Sequence, residues 1–494
     1  MNALLLSSPA LRALLPEGVV AATALAALAL DVSVLRGRTL RVRTATAALL
    51  GVAGCIFTLL LLLHVPAQAS VAEGMMVASP LTALVQIGVL VLAIGVLLIL
   101  PDAPGTHHAG ETVLLILLAT VGMLLLVAAQ DLLLIFLALE LLSLPLYILT
   151  ALDARTGTHG AHAAEAGLKY FLFGGASSAM LLFGFSLLYG VANSTRLAAI
   201  AAAVQSAPSH PLLLAATALI VSGLGFKIAA APFHFWAPDV YEAAPAPAAA
   251  LIASGSKVAA FFLLFQILTL GLTEARGWVL ALAAMAALSM AWGSLAATAQ
   301  TSVRRLLAYS AVAHAGYLLL AFLPGTRANL PALLFYVLTY ALAALGMLSA
   351  IGVLERSVGT DQIRDWDGLS QRSPWLAFSV AVFLLSLAGV PPLAGFFAKF
   401  YLFASVLRNA PMASVAFWLV MLAIAMSAVA LYYSLRVLKP AFVNDPAQEA
   451  GAIPIPFLSR LVLMLLTAAV IVLGCAPQIL LRWIVDAAQM AGLR

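Results

Sequence analysis

The chain carries little charge and almost no cysteine. Of its 494 residues only 9% are Asp, Glu, Lys or Arg, and its two cysteines are Cys55 and Cys475. Soluble globular domains carry about 25% charged residues, so this composition excludes an ordinary soluble enzyme. Two isolated cysteines provide neither a disulfide framework nor a cysteine metal site. The sequence also has no glycine-rich phosphate loop and no CxxC pair. We therefore expect no cofactor and no metal ion bound to this chain.

Long apolar runs fill most of the sequence. Hydrophobic residues make up 64% of it, and the mean hydropathy is +1.11. Because a membrane-spanning helix needs about 20 apolar residues, the runs predict an all-α polytopic membrane protein of about 14 transmembrane helices. The predicted spans are 17–35, 45–64, 80–100, 112–129, 132–152, 166–191, 211–231, 246–271, 277–299, 303–323, 330–354, 375–407, 412–438 and 457–481. Residues 197–206 are predicted to form a short interfacial helix.

Basic residues fall unevenly on the two sides of these spans. With the loops counted alternately, one side holds 13 and the other holds 7. The larger set is Arg36, Arg38, Arg41, Arg43, Arg155, Arg304, Arg305, Arg356, Arg364, Arg372, Arg436, Lys439 and Arg460; the smaller set is Arg12, Arg196, Arg276, Arg327, Arg408, Arg482 and Arg494. The positive-inside rule then predicts that the first loop faces the cytoplasm and that both termini lie on the outer side. Because these residues lie in short loops, the net charge of +5 does not indicate nucleic-acid binding.

Lysine is distributed differently from arginine. The 20 basic residues counted above leave 24 − 20 = 4, and all four are lysines within predicted spans: Lys169, Lys227, Lys257 and Lys399. An ionisable group in hydrocarbon costs roughly 3 kcal/mol or more, so its default interpretation is functional. A buried lysine can release its proton, whereas arginine stays charged. Lys257 stands about 11 residues into its span, roughly 16 Å deep, too far for its ammonium to reach the headgroups.

Prolines interrupt two of the predicted spans. Four prolines lie between Lys227 and Lys257, beginning at Pro232, and Pro391-Pro392 precedes Lys399. Proline breaks a helix because it lacks an N–H, and paired broken helices in two halves of a chain indicate a transport site. The breaks lie 391 − 232 = 159 residues apart, which predicts two repeats of five helices, 111–273 and 274–440. A three-helix segment, 1–110, precedes them, and a C-terminal helix lies in 441–494.

Three further residues are candidates for proton transfer. Glu140 lies halfway through its span and is the only acid predicted at that depth, where an unpaired carboxyl group is expensive. His314 is central in another span, and histidine titrates near neutral pH. His234 lies in the first break. For Lys169, which has Glu165 four residues earlier on the same helix face, an interfacial ion pair remains an equal alternative to a place on the path.

Four motifs resemble the antiporter-like membrane subunits of respiratory complex I. They are LKYFLFGGASSAMLLFGFSLLYG from Leu168, FKIAAAPFHFWAPDVYEAAP from Phe226, RRLLAYSAVAHAGYLLL from Arg304 and SLAGVPPLAGFFAKFYLF from Ser386. The blocks appear in the family's order and extend over nearly the whole chain. The chain departs from the family's usual pattern at Ser256, where proline commonly precedes the lysine.

The resemblance implies a proton-translocating subunit of NADH-quinone oxidoreductase. The family's functional residues match Glu140, Lys169, Lys227, His234, Lys257 and Lys399 here; His314 joins them on its own position in the span. Its partners would be the other membrane subunits of complex I, the lipid bilayer and protons. NADH, FMN, iron–sulfur clusters and quinone would be bound by partner subunits.

Two other functions remain open on the sequence. A subunit of an Mrp-type Na⁺/H⁺ antiporter would have the same charged framework. A stand-alone solute transporter would also use broken helices, but it would need a polar substrate pocket rather than a line of ionisable residues.

Overall fold

Helices make up nearly all of the described protein. The computed structural model describes residues 9–64, 69–103, 108–152, 158–272, 278–323, 326–446 and 451–492. Twelve helices there are long and apolar enough to cross a membrane, and they coincide with twelve of the predicted spans. The elements are α1 Pro9–Ser33, α2 Leu40–Leu62, β1 Ala69–Val71, β2 Met76–Ala78, α3 Pro80–Ile99, α4 Ala109–Ala128, α5 Leu132–Ala151, α6 Thr158–Ala192, α7 Leu197–Ser206, α8 Pro211–Lys227, α9 Trp236–Ala243, α10 Ala246–Ala253, α11 Gly255–Gln266, α12 Trp278–Thr298, α13 Val303–Leu319, α14 Leu330–Val358, α15 Pro374–Ala388, α16 Ala394–Asn409, α17 Val415–Val443, α18 Phe457–Cys475 and α19 Gln478–Met490. The prediction of an all-α polytopic membrane protein is confirmed.

The other two predicted spans adjoin or contain a break: 211–231 covers α8, which ends at Lys227 just before the first break, and 375–407 is broken near its middle. The first break separates α8 from α9, and the second separates α15 from α16. Each contains a cis peptide bond, Ala231–Pro232 or Pro391–Pro392. The backbone N–H of Ala231 donates to Oγ of Ser289 on α12 at 2.8 Å. Irregular backbone at membrane depth needs such partners because no water is present in the hydrocarbon to supply them.

Polar side chains cap several helices where the chain enters them. At α3 the Ser79 hydroxyl accepts from the Thr82 N–H, while the Thr82 hydroxyl accepts from the Ser79 N–H, which is a capping box. Asp131 accepts from the Leu133 N–H at the start of α5. At the start of α13, Ser302 Oγ accepts from the Arg305 N–H. These caps satisfy the first N–H groups that a helix leaves unpaired, so each helix begins at a defined residue.

The centre of the bundle is the chain from 246 to 271, which is buried along its whole length. It comprises α10, α11 and a terminal π-helical turn, Ile267–Gly271. α10 and α11 pack against α3 and α14, and α11 also packs against α4. α13 and α14 are nearly as buried, whereas α6 and α17 lie at the periphery. Lys257 therefore sits on the element that is most deeply enclosed by protein.

Some features were not predicted from the sequence. The helix predicted over 246–271 is interrupted at Ser254, three residues before Lys257. The span predicted over 457–481 ends at Cys475, and a separate helix, α19, follows it. β1 and β2 form an antiparallel hairpin. Glu17, predicted at the edge of a span, is buried inside α1 and accepts from the Gln86 amide at 3.0 Å.

Candidate functional site

Glu140 and Lys227 belong to a first cluster formed by α5, α6 and α8. Lys227 is the last residue of α8, and its buried ammonium donates to Ser143 Oγ at 2.7 Å. Ser143 follows Glu140 by three residues on α5, so the two side chains share one face of the helix. Ser178 of α6 donates to the Glu140 carboxylate at 2.5 Å. The face of α5 that carries Glu140 therefore also carries the hydroxyl that binds Lys227.

Lys257 belongs to a second cluster, formed around α11, α13 and α14. Its side chain is 2% exposed, and its ammonium donates to the Ala311 carbonyl oxygen of α13 at 2.8 Å. The same ammonium lies 5.4 Å from the centre of the Tyr340 ring on α14. An aromatic face attracts a cation, so this contact favours the protonated lysine. A carbonyl and a ring thus take the place of a counter-ion.

His314 lies next to Lys257 in the same cluster. Its ring centre is 4.8 Å from that of Tyr340, and its Nδ1 is 3.0 Å from the Tyr336 hydroxyl. Nε2 is buried with no hydrogen-bond partner among the described residues. Through Tyr340 and Tyr317 the ring is linked to Lys257 and to Lys399. His314 therefore occupies the position between the two lysines.

Lys399 completes the second cluster from the other side. Its ammonium is 5.0 Å from the Tyr317 ring centre, and the Tyr317 and His314 rings are 5.6 Å apart. The order Lys257, Tyr340, His314, Tyr317, Lys399 is therefore continuous in space. Each of these side chains is nearly or completely buried. The arrangement is a row of titratable and hydroxyl-bearing groups inside the bundle.

The two broken helices present their lysines in equivalent electrostatic positions. Lys227 is in the last turn of α8, the half-helix before the first break. Lys399 lies on α16, after the second break, but its ammonium returns to the carbonyl oxygen of Ala388 at 2.8 Å. Ala388 is the last residue of α15. Helix C-termini carry partial negative charge, so both half-helices stabilise an ammonium at the break.

The sequence places this bundle in a known family. Residues 129–427 match the family model described as NADH:quinone oxidoreductase/Mrp antiporter, TM. The chain belongs to this family. It is 49% identical to NADH-quinone oxidoreductase subunit N 2 of Acidobacterium capsulatum, over 97% of this chain and 99% of that protein. It is 38% identical to NAD(P)H-quinone oxidoreductase subunit 2 of Thermosynechococcus vestitus, over 89% and 84% of the two chains.

Solved structures of the family share the architecture. A chain of respiratory complex I from Thermus thermophilus is 32% identical and superposes with a TM-score of 0.75, covering 94% of this chain and 98% of that one. A chain of the Mrp complex from Dietzia sp. DQ12-45-1b superposes with a TM-score of 0.83 at 22% identity, covering 98% and 97%. At that identity the second likeness establishes the antiporter-like fold alone.

Lys169 and His234 lie apart from the buried row of this antiporter-like chain. The Lys169 side chain is 41% exposed and pairs with Glu165 at 2.7 Å and Asp239 at 2.9 Å. His234 is buried in the first break, where its ring stacks on Phe235, and its Nδ1 has no partner among the described residues. The structure therefore brings together five of the seven predicted residues in two clusters, places Lys169 in a part-exposed ion-pair network and buries His234 in the first break.

Sequence reasoning missed the neutral side chains of the site. Ser143 accepts a hydrogen bond from the Lys227 ammonium. Tyr336 contacts His314 through its hydroxyl, and the rings of Tyr340 and Tyr317 contact Lys257 and Lys399. Helical spacing was the available signal, because Ser143 and Tyr317 each lie three residues after a predicted site residue. Among the described residues, no group of three or more His, Cys, Asp or Glu side chains could hold a metal ion.

Proposed function

We propose that this chain is subunit N of a bacterial NADH-quinone oxidoreductase and that it translocates protons across the membrane. The observation that carries the proposal is the buried row from Lys257 through His314 to Lys399, with the Glu140–Lys227 cluster beside it. Groups that can gain and lose a proton are costly inside a bilayer and rarely serve packing alone. The 49% identity to an NADH-quinone oxidoreductase subunit over nearly the full length of both chains supports the assignment.

Energy for this transport comes from other subunits. NADH, FMN, iron–sulfur clusters and quinone would bind to those partners, and this chain would receive the coupling as a change of charge. A unit charge about 10 Å away changes the free energy of an ionisation by roughly 1.7 kcal/mol at an effective dielectric constant of about 20. Displacement of the Glu140 carboxylate from Lys227 would therefore release the lysine proton to the Lys257 row. The proton would leave from Lys399 toward the outer side.

Partner subunits are also required by the position of Glu140. This carboxylate lies at the middle of α5, and its side chain is only half-buried. A carboxylate exposed to lipid is unfavourable, so a neighbouring membrane subunit covers this face in the assembled complex. The protein would lie in the bacterial plasma membrane with both termini outside, as the distribution of basic residues predicts. The two five-helix repeats would each contribute one broken helix to the path.

Lys227 is the residue that tests the proposal. We expect Lys227→Ala to lower proton pumping by the assembled complex at least about tenfold, equivalent to about 1.4 kcal/mol in the barrier. Lys227→Arg keeps the charge but cannot release a proton, so it is expected to lose pumping as well. The measurement is NADH-driven acidification of vesicles that contain equal amounts of assembled complex.

Lys439→Ala is the matched control, because Lys439 is an exposed lysine near the end of α17. It is expected to pump normally. Normal pumping by the Lys227→Ala complex would defeat the proposed function. Sodium transport by the wild-type complex, with no proton movement, would favour the Mrp-type alternative.

A further inference from the structure

A charged pocket opens beside the first broken helix. It has a volume of about 370 Å³ and lies between α6, α9, α13 and the end of α14. Its lining includes His162, Glu165 and Lys169 of α6, Asp239 of α9 and Arg305 of α13. Arg305 belongs to the larger set of basic residues, so the pocket lies on the predicted cytoplasmic side.

Asp239 is the centre of an ion-pair network in this pocket. Its carboxylate accepts from the Lys169 ammonium at 2.9 Å and from the Arg305 guanidinium at 2.9 Å. The two cations come from different helices, α6 and α13. Lys169 also pairs with Glu165, and Arg305 also pairs with Glu242. Asp239 therefore ties α9 to both neighbouring helices, and Glu242, also on α9, adds a second tie to α13 alone.

A buried arginine fixes the other end of α9. Arg304 donates to the carbonyl oxygens of Tyr241 at 3.2 Å and Ala244 at 2.6 Å, which belong to the last turn and the end of α9. Its guanidinium also makes two hydrogen bonds to Glu355. The C-terminal end of α9 is therefore held by a deeply buried arginine, and the bidentate pair with Glu355 fixes the position of that arginine. The tie at Asp239 is by comparison part-exposed, so it is the one that water in the pocket can reach.

An aromatic cluster lies between the pocket and Lys227. Trp236 precedes Asp239 by three residues on α9, and its ring stacks on Tyr170 with 4.4 Å between the centres. Tyr170 follows Lys169 in sequence. The Trp236 indole N–H donates to the Phe226 carbonyl at 3.0 Å, and the Phe226 ring lies 5.2 Å from that of Trp236. Phe226 immediately precedes Lys227, and these three rings are nearly fully buried.

We propose that the pocket is the entrance through which water reaches Lys227, that the Tyr170, Phe226 and Trp236 rings form its gate, and that Asp239 is the positioning residue that keeps this gate closed. While Asp239 is bound to Lys169 and Arg305, α9 holds Trp236 against Tyr170. When this tie is released, α9 can turn about its Arg304-bound end and move Trp236 away from Tyr170. The inference rests on the proposed function for its purpose, because only a proton carrier at Lys227 needs an entrance.

Cysteine accessibility tests the gate directly. The background is Cys475→Ser, since Cys55 is buried and Cys475 is exposed. Ala230→Cys reports on the first break, where Ala230 is fully buried, and His162→Cys reports on the pocket itself. The probe is a small water-soluble methanethiosulfonate applied to membranes containing the assembled complex. With Asp239 intact, we expect rapid reaction at His162→Cys and slow reaction at Ala230→Cys.

Asp239→Asn is expected to accelerate the reaction at Ala230→Cys by about tenfold, equivalent to about 1.4 kcal/mol, and to leave His162→Cys unchanged. Asp239→Glu, which keeps the charge, should restore slow reaction. Glu165→Gln is the matched control, because it removes the other partner of Lys169 and leaves Asp239 bound to Arg305. It should leave both rates unchanged. Equal rates at Ala230→Cys with and without Asp239→Asn would overturn the gate.

Hydrogen–deuterium exchange provides a measurement that needs no cysteine in the break. Amides 228–236 should exchange faster in the Asp239→Asn complex than in wild type, and unchanged exchange would overturn the inference. The two proposals fail separately. Lost pumping in Lys227→Ala together with unchanged accessibility in Asp239→Asn defeats the gate alone. Normal pumping in Lys227→Ala together with increased accessibility defeats the proposed function and leaves the gate in place.

Discussion

The buried lysines are held by neutral acceptors rather than by counter-ions. The three acceptors are a serine hydroxyl for Lys227 and backbone carbonyls for Lys257 and Lys399. Desolvating an ammonium costs several kcal/mol, and a fixed counter-ion would offset this cost at the expense of locking the proton in place. A hydrogen bond to a charged group contributes only about 1.5–3 kcal/mol. These sites therefore stabilise a charged lysine without making its proton permanent.

Ser143 provides the clearest test of this balance. We expect Ser143→Ala to lower proton pumping about tenfold, because the protonated Lys227 loses a hydrogen bond worth about 1.5–3 kcal/mol. The measurement is the initial rate of proton uptake into vesicles, normalised to the amount of assembled complex. Ser143→Thr keeps the hydroxyl and should pump at nearly the wild-type rate. If the alanine and threonine variants pump equally, the hydroxyl does not support Lys227.

Residue type predicted the titratable groups but not their neutral partners. A lysine or glutamate within an apolar run is conspicuous at any position, because its cost does not depend on the fold. Tyr336, Tyr340 and Ser143 are ordinary in such a run, and only the packing of α5, α13 and α14 makes them contacts of the site. Lys169 illustrates the opposite limit, because this lysine is conspicuous in the sequence but lies part-exposed on α6 rather than inside the bundle.

The second broken helix contains two glycines at which any other residue would strain the structure. Gly389 ends α15 with φ of 91°, a conformation that strains any residue with a Cβ. Gly395, at the start of α16, lies so close to α15 that a Cβ would overlap the Ser386 carbonyl oxygen. The close approach brings the two half-helices together beside Lys399. The shape of this break is therefore set by backbone contact.

Substitution of Gly395 is expected to destabilise the protein. Gly395→Ala forces backbone apart at the break and should cost about 1–3 kcal/mol, as overpacking of a tight interior does. Gly190→Ala, on α6 with open space around the added methyl group, should instead gain about 0.5–1 kcal/mol because alanine favours a helix. Thermal unfolding of the purified complex measures both. Equal melting temperatures for the two variants would show that the second break tolerates a wider spacing.

Helix positions followed from apolar run length, whereas several boundaries did not. The length criterion of about 20 apolar residues depends only on membrane thickness. It therefore predicted the twelve long helices and both broken spans. The criterion did not predict α19, because an amphipathic helix needs no continuous apolar run. The β1–β2 hairpin consists of three-residue strands that are defined by their pairing. The interruption at Ser254 coincides with the dipeptide Ser254–Gly255, a turn signal that was not weighed against the long apolar run around it.

At the scale of the whole molecule, exposed apolar side chains do not by themselves indicate a partner, because a membrane protein presents such side chains to lipid. The face formed by α5 and α6 differs because it includes Glu140. Leu137, one turn from Glu140, is 63% exposed, and Leu144 is also exposed on the same helix. A carboxylate in an apolar face of this kind is unfavourable in lipid and requires a neighbouring protein. The face formed by α5 and α6 is therefore predicted to be an interface with another subunit.

Leu137→Cys tests that interface. In membranes where this chain is produced alone, a lipid-permeant maleimide should label the introduced cysteine readily, because the side chain faces the bilayer. In the assembled complex a partner helix covers α5, so labelling should fall at least about tenfold, an increase of about 1.4 kcal/mol in the barrier to reaction. Labelling after denaturation gives the total thiol in each sample. Equal labelling with and without the partner subunits would mean that Glu140 faces lipid, and its charge would then have to be explained by Ser178 and Lys227 alone.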